Sequence, residues 1–239
     1  MLSETITGKR HVMLYSGGLD SYIHYMLLTR VYMYRVTPLY IDYNGKYSNK
    51  EKLIAQKLVP ETVIINPIDL SQYEDENHTI KNRNMLLITL ASTHFPEIKS
   101  FIVGGIAGTG NLVKRTDADT AALESYAKSL SRANNSDPFY IWSAFPKKDK
   151  SETVAEYLKY LTSLQFKVST LIQTTSCYDK DELWCGRCLG CLERFIALKD
   201  NGIIDPKMPV FINTSLQKEY IDAIISDERK EHIAELLGV

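Results

Sequence analysis

The stretch His11–Ser21, HVMLYSGGLDS, decides the architecture. His11–Tyr15 is a short apolar run of strand length, and Ser16-Gly17-Gly18-Leu19-Asp20-Ser21 leads directly from it into an apolar helix expected over Ser21–Arg30. Two adjacent glycines let the backbone reach positive φ and approach a ligand closely. A helix N-terminus just beyond them aims free amides and the positive end of its dipole at the same point. Strand, glycine turn and helix in that order suit a phosphate or pyrophosphate. The plainer reading is a strand-to-helix turn with Asp20 or Ser21 as N-cap. The segment is not a Walker A loop, because no Gly-Lys-Ser/Thr follows, nor a dinucleotide fingerprint, because GxGxxG is missing.

Working outward, Val36–Ile41, Thr62–Ile65, Phe101–Gly104 and Tyr140–Ser143 are further short strands, separated by helical stretches at Ser48–Leu58, Arg83–His94 and Asp119–Arg132. Strands alternating with longer amphipathic segments predict βαβ units around a parallel sheet, so the fold class is α/β and Rossmann-like. Ser48 and Glu51 have the spacing of a capping box. Pro38, which has no N–H to give to a ladder, predicts an edge position for the second strand. Ser151 is expected to cap a helix reaching about Gln165. From Thr170 the strand rhythm stops, and a loop-rich segment leads to a helix over Leu192–Lys199 that Asn201 and Gly202 end. Two short helices, around Leu216–Ile225 and Glu228–Leu237, follow. The expected domains are 1–169, an α/β nucleotide-loop domain, and 170–239, a small helical metal-binding region.

The 28 lysines and arginines almost balance 29 aspartates and glutamates, for a net charge of −1. A dedicated nucleic-acid binder carries a basic excess, so no direct nucleic-acid partner is expected. No run approaches the roughly 20 apolar residues of a membrane span, and the start, MLSETITGKRHV, lacks the layout of a signal peptide. A cytoplasmic protein without a membrane partner is expected.

All four cysteines, Cys177, Cys185, Cys188 and Cys191, lie in one short window that ends in CGRCLGC. In a reducing compartment such clustering points to metal or redox chemistry rather than disulfides. Four thiolates suit a tetrahedral zinc, and a closed shell leaves no position for a catalytic water, so the zinc would be structural. A ferredoxin-like iron–sulfur cluster and a redox CxxC are the rival readings. Arg187, between the cysteines, would offset negative charge there.

SGGLDS at 16–21 resembles the SGGxDS signature of the PP-loop ATP pyrophosphatases. That resemblance implies ATP held by Ser16, Gly17, Gly18, Leu19, Asp20 and Ser21, with Asp20 also helping to bind Mg2+. Together with the cysteines, the chain resembles the 7-cyano-7-deazaguanine synthase (QueC) family over about residues 10 to 200. Tyr43-Asn44, Gly45–Glu51 leading into a helix, Arg83-Asn84, Lys150 with Glu152, and Ser176-Cys177-Tyr178 through Cys185-Gly186, Cys188, Cys191 and Arg194 carry it. The implied fold is adenine nucleotide alpha hydrolase-like.

The implied activity is that of an ATP-dependent ligase converting 7-carboxy-7-deazaguanine and ammonia to 7-cyano-7-deazaguanine through an adenylated intermediate. Lys150, Arg83 and Asp20 become catalytic candidates, the first two stabilising developing charge, although a solvated helix-start charge is the plainer role for Lys150 and Arg83. Tyr43, Asn84 and Asp117 become substrate-binding candidates. Family members commonly form homodimers, so a homodimer is implied. The chain departs from the family at Gly45-Lys46-Tyr47, where a histidine is lost, and over Gly104–Asp119, GGIAGTGNLVKRTDAD. Those departures keep open an adenylating enzyme that makes an amide from another amine or acid. A non-enzymatic nucleotide sensor is a further alternative, against which Ser16, Asp20, Ser21 and Lys150 speak. A tRNA thiolase would want a catalytic cysteine outside the metal site, and there is none.

Overall fold

A computed structural model describes residues 9–75, 80–106, 120–134, 137–146, 148–179, 184–208, 210–224 and 227–239. Five parallel strands, β1 (Arg10–Leu14), β2 (Arg35–Ile41), β3 (Val63–Ile65), β4 (Ser100–Ile106) and β5 (Tyr140–Phe145), form one sheet in the order β3-β2-β1-β4-β5. The five expected strands are therefore present, and the α/β class holds. The chain builds outward from β1 to β3, then crosses to build β4 and β5 on the other side. Between β1 and β4 the connections diverge, and that switch point, at the carboxyl ends of the strands, is where open α/β sheets hold ligands.

Side chains alternate along each strand, so the sheet buries both faces. Val12, Leu39, Ile41, Phe101, Val103 and Ile141 point to one core, closed by α3 (Arg83–His94) and α4 (Thr120–Ala133). Met13, Tyr15 and Ile102 point to the other, under α1 (Leu19–Met26) and α5 (Lys150–Leu158), and Phe145 joins them past the irregularity in the β4–β5 pairing. Each fully buried side chain of this kind contributes roughly 1.5–3 kcal/mol.

Pro38 does not mark an edge. β2 lies between β1 and β3, with Pro38 paired to Met13. Backbone groups alternate sides along a strand: the Leu39 carbonyl accepts from Tyr15 on the β1 side, and the Asp42 N–H donates to Ile65 on the β3 side. The missing donor of Pro38 thus faces β3, which begins pairing only at Leu39. The imide costs no ladder bond.

Two capping expectations are corrected. α2 (Ser48–Leu58) has Tyr47 as its N-cap and no side-chain cap, and Glu51 instead accepts from the Tyr40 hydroxyl at 3.3 Å. In α5 the cap is Asp149, not Ser151: Asp149 and Glu152 form a complete capping box. α5 stops at Leu158, short of Gln165, because Tyr160 and Leu161 bond back three residues and tighten the chain into turns. α1 begins two residues earlier than expected, with Gly18 as N-cap, and runs into a π-helical turn over Leu27–Val31.

Beyond α5, a short helix that the sequence did not suggest, α6 (Val168–Gln173), precedes the cysteines. α7 (Leu189–Asp200), α8 (Thr214–Asp222) and α9 (Asp227–Leu237) match the expected C-terminal helices, and Gly202 after α7 takes φ +69°. Cys177, Cys191, Leu192, Phe195, Ile196, Met208 and Tyr220 make a third core there. α7 also sends Ala197 and Leu198 into the core beneath the sheet. No described helix is long and apolar enough to cross a membrane.

Candidate active site

The glycine loop leaves β1 at the switch point. Gly17 takes φ +70°, and a Cβ there would lie 2.7 Å from the backbone nitrogen of Ala55, so only glycine lets the loop pass this close to α2. Tyr22 makes the first helical bond, to the Gly18 carbonyl at 2.9 Å. The N–H groups of Leu19, Asp20 and Ser21 are those that a helix start leaves without intrahelical acceptors. Ser16 Oγ and Ser21 Oγ are 3.3 Å apart, and the Gly18 N–H donates to Ser16 Oγ at 3.3 Å. Two hydroxyls and the head of a helix thus gather at one point, an arrangement suited to an anion.

Asp20 and Lys150 meet there: Lys150 Nζ lies 3.1 Å from Asp20 Oδ2. Burial of Lys150 at 4% exposure removes the reading of a solvated helix-start charge. A second carboxylate, Glu193 Oε2 of α7, lies 3.1 Å from the same ammonium, and the sequence reading missed it. Asp20 Oδ1 is buried with no hydrogen-bond partner. An orphaned carboxylate oxygen costs about 1–3 kcal/mol or more unless something arrives to satisfy it, so the donor set at Asp20 fits a divalent cation.

Arg83 belongs to a second cluster, at the carboxyl end of β2. Its guanidinium donates to the hydroxyls of Tyr43 and Tyr47, both at 3.2 Å, and lies over the Tyr43 ring. Tyr178 packs against Tyr47 with ring centres 5.7 Å apart. Burial pushes the Glu51 carboxyl up to about 7, against the pull of Arg83, and raises the phenols of Tyr43 and Tyr47. The structure therefore joins Tyr43 to Arg83 and adds Tyr47, singled out in the sequence only as a departure from the family, and Glu51, expected there only as a helix cap. Asn84 follows Arg83 on the first turn of α3 and is partly buried. Asp117 and the segment 107–119 lie outside the described residues.

The four cysteines converge with their sulfurs within 4.8 Å of one another. Cys185 and Cys191 are 3.9 Å apart at sulfur, close to the separation of about 3.8 Å that bonds of ~2.3 Å give at the corners of a tetrahedron. All four are free thiols, and Cys177 accepts N–H bonds from Asp179 at 3.4 Å and Cys185 at 3.3 Å. Hydrogen bonds among the Cys177, Cys188 and Cys191 thiols pull Cys188 below the ordinary thiol range and push Cys191 above it, so without a bound cation a proton is shared among them. The cluster fits a metal ion. Arg187 pairs with Asp179 at 3.2 Å. Lys50 reaches the carbonyls of Cys177 and Asp179 and ties the start of α2 to the cysteine segment.

A doubly wound parallel sheet, a serine–glycine loop at its switch point and a four-cysteine knuckle behind it define a Rossmann-like α/β protein of the PP-loop type. The family model for "Queuosine biosynthesis protein QueC" matches residues 51–202. The chain belongs to the QueC family. It is 28% identical over 218 residues to a 7-cyano-7-deazaguanine synthase of Marinobacter nauticus, covering 82% of this chain and 95% of that protein. It is also 28% identical over 224 residues to 7-cyano-7-deazaguanine synthase 2 of Colwellia psychrerythraea, covering 83% and 97%. Among solved structures, the U34-tRNA thiolase NcsA of Methanococcus maripaludis with its [4Fe-4S] cluster aligns with a TM-score of 0.43 at 16% identity, covering 99% of this chain and 74% of that one.

Proposed function

We propose that this chain is an ATP-dependent carbon–nitrogen ligase that converts 7-carboxy-7-deazaguanine and ammonia to 7-cyano-7-deazaguanine. The observation that carries it is the family match, which runs through Lys150 and all four cysteines, combined with the contact of Lys150 with Asp20 beside the glycine loop. A carboxylate is a poor electrophile. Its oxygen attacks the α-phosphorus of ATP, pyrophosphate leaves, and ammonia then displaces AMP to give an amide. A second adenylation, on the amide oxygen, lets AMP and a proton leave as the nitrile forms.

In this reading Ser16, Gly17, Gly18, Leu19 and Ser21 hold the phosphates by hydroxyls and backbone N–H groups. Lys150 faces the charge that builds on the α-phosphoryl oxygens, and Asp20 holds Mg2+, which neutralises the pyrophosphate leaving group. Tyr43, Asn84 and Asp117 receive the deazapurine, and Arg83 neutralises its carboxylate before adenylation. Cys177, Cys185, Cys188 and Cys191 hold a structural zinc that folds the region 170–239 onto the nucleotide domain of 1–169. The enzyme works in the cytoplasm on small molecules, as a homodimer. Purified protein given the acid, ammonium and ATP should form the nitrile, read by mass spectrometry, with AMP and pyrophosphate. ATP turnover with other acids and none with the deazapurine acid overturns this reading. It would favour an adenylating enzyme that forms an amide from another acid or amine, which Tyr47 supports by filling the place of the family's histidine against Arg83.

A further inference from the structure

We infer that Arg194 is a positioning residue for the glycine loop and joins it mechanically to the cysteine knuckle; the inference rests on the ATP reading given above. Arg194 lies one turn of α7 beyond Cys191 and is fully buried. Its guanidinium donates to Thr174 Oγ1 at 2.6 Å and to the Leu171 carbonyl at 2.8 Å, and pairs with Asp205 at 3.3 Å. Trp184 covers its face, with the ring centre 4.0 Å away. Burial pulls the guanidinium down to about 10, so it keeps its charge near neutral pH.

Filling the core does not require this residue. Apolar side chains of similar volume at both 194 and 205 would avoid desolvating two charges, and replacing a whole buried pair in this way is often neutral or stabilising, whereas removing Arg194 alone would strand the buried Asp205 carboxylate. What an apolar side chain lacks is the rigid fork that fixes the end of α6 to α7 in one orientation.

That orientation matters at the next residue. The Thr175 N–H donates to the Gly17 carbonyl at 3.2 Å, and Thr175 bridges Gly18 in a parallel pairing. A Cβ on Gly18 would lie 3.2 Å from the Thr175 carbonyl oxygen. The loop therefore leans on the segment that Arg194 holds. The same segment is pressed from the knuckle side, where a Cβ on Gly190 would fall 2.0 Å from the Ser176 carbonyl oxygen. Within one stretch of α7, Gly190 seats the Ser176 backbone, Cys191 joins the thiol cluster, Glu193 grips Lys150 and Arg194 grips Thr174. The helix that begins in the cysteine cluster thus holds the loop along two routes, through Thr175 to Gly17 and through Lys150 to Asp20.

Thr174→Val tests this, because it removes the hydroxyl that Arg194 binds and leaves the guanidinium and the cysteines in place; Thr174→Ser restores the hydroxyl. Metal per chain, thermal unfolding, KM and kcat, and the Kd of a non-hydrolysable ATP analogue are measured on each. The expected result is metal content unchanged, Kd for the analogue and KM for ATP both weakened about tenfold, kcat within about twofold of wild type, and recovery in Thr174→Ser. A purely structural arginine would give a lower melting temperature with an unchanged Kd in the folded protein, which overturns the inference alone. Wild-type protein that binds no analogue overturns the ATP reading and this inference with it.

Discussion

The ammonium of Lys150 and the carboxylate of Asp20 lie 3.1 Å apart, joining the first turns of α5 and α1 across the carboxyl end of the sheet. A buried ammonium requires a counter-charge, and here it has two, because Glu193 stands at the same distance. Replacing Lys150 by Met leaves both carboxylates without their cation. Because the carboxylates are partly exposed, the expected loss of stability is about 1–3 kcal/mol, below the figure for a fully buried pair. The rate of pyrophosphate release should fall about 100- to 1000-fold, the usual cost of removing one preorganised charge-stabilising group. Thermal unfolding and single-turnover assays check the two effects separately.

Glu193→Gln keeps the shape and removes one of those two negative charges. Lys150 then leans more heavily on Asp20, which draws the ammonium toward the loop and weakens the hold of Asp20 on a cation. The expected result is a several-fold higher Mg2+ requirement with unchanged metal at the cysteines, read by Mg2+ titration of the initial rate and by elemental analysis. An unchanged Mg2+ dependence would show that Glu193 holds α7 in place without acting on the loop.

Much of this frame was readable in the sequence because it is local. The β1 loop, the five strands and the four sulfurs are each declared by consecutive residues. What was missed depends on contacts far apart in the chain. Glu193 meets Lys150 across 43 positions, and Arg83 meets Tyr47 across 36. Tyr47 looked like the loss of a histidine, yet its hydroxyl takes an arginine N–H. The capping box expected at Ser48 failed for a tertiary reason, since Glu51 turns to Tyr40 on the neighbouring strand rather than back to its own helix start. Pro38 misled because an edge can be local to one residue of an interior strand.

The cysteine knuckle yields a metal prediction. The C-terminal core includes Cys177 and Cys191 themselves, so a bound ion adds its binding free energy to folding there. Cys191→Ser should lose the metal and lower the melting temperature, and prolonged chelation of wild-type protein should do the same. Elemental analysis is expected to give one zinc per chain. Iron with sulfide and a visible chromophore would overturn the assignment to zinc while leaving the ligands as they stand.

Glu51 gives stability a pH dependence of definite sign. Burial raises its carboxyl from the ordinary 4.5 to about 7, even though Arg83, the Tyr40 hydroxyl and Lys50 pull it down, with Glu74 adding to the rise. The folded protein therefore holds a proton on Glu51 between those values that the unfolded chain has released. Since stability falls with pH wherever the folded state binds more protons, the contribution of Glu51 is complete below about 4.5 and is lost as pH rises through about 7. One pKa unit corresponds to about 1.4 kcal/mol, so a rise from 4.5 to about 7 corresponds to a loss on the order of 3 kcal/mol, superimposed on other titrations. Glu51→Gln mimics the protonated carboxyl and should remove this component. Urea unfolding at pH 5 and pH 8 checks it: the difference between the two midpoints should be smaller in Glu51→Gln than in wild type, and equal differences would mean that Arg83 holds Glu51 ionised throughout.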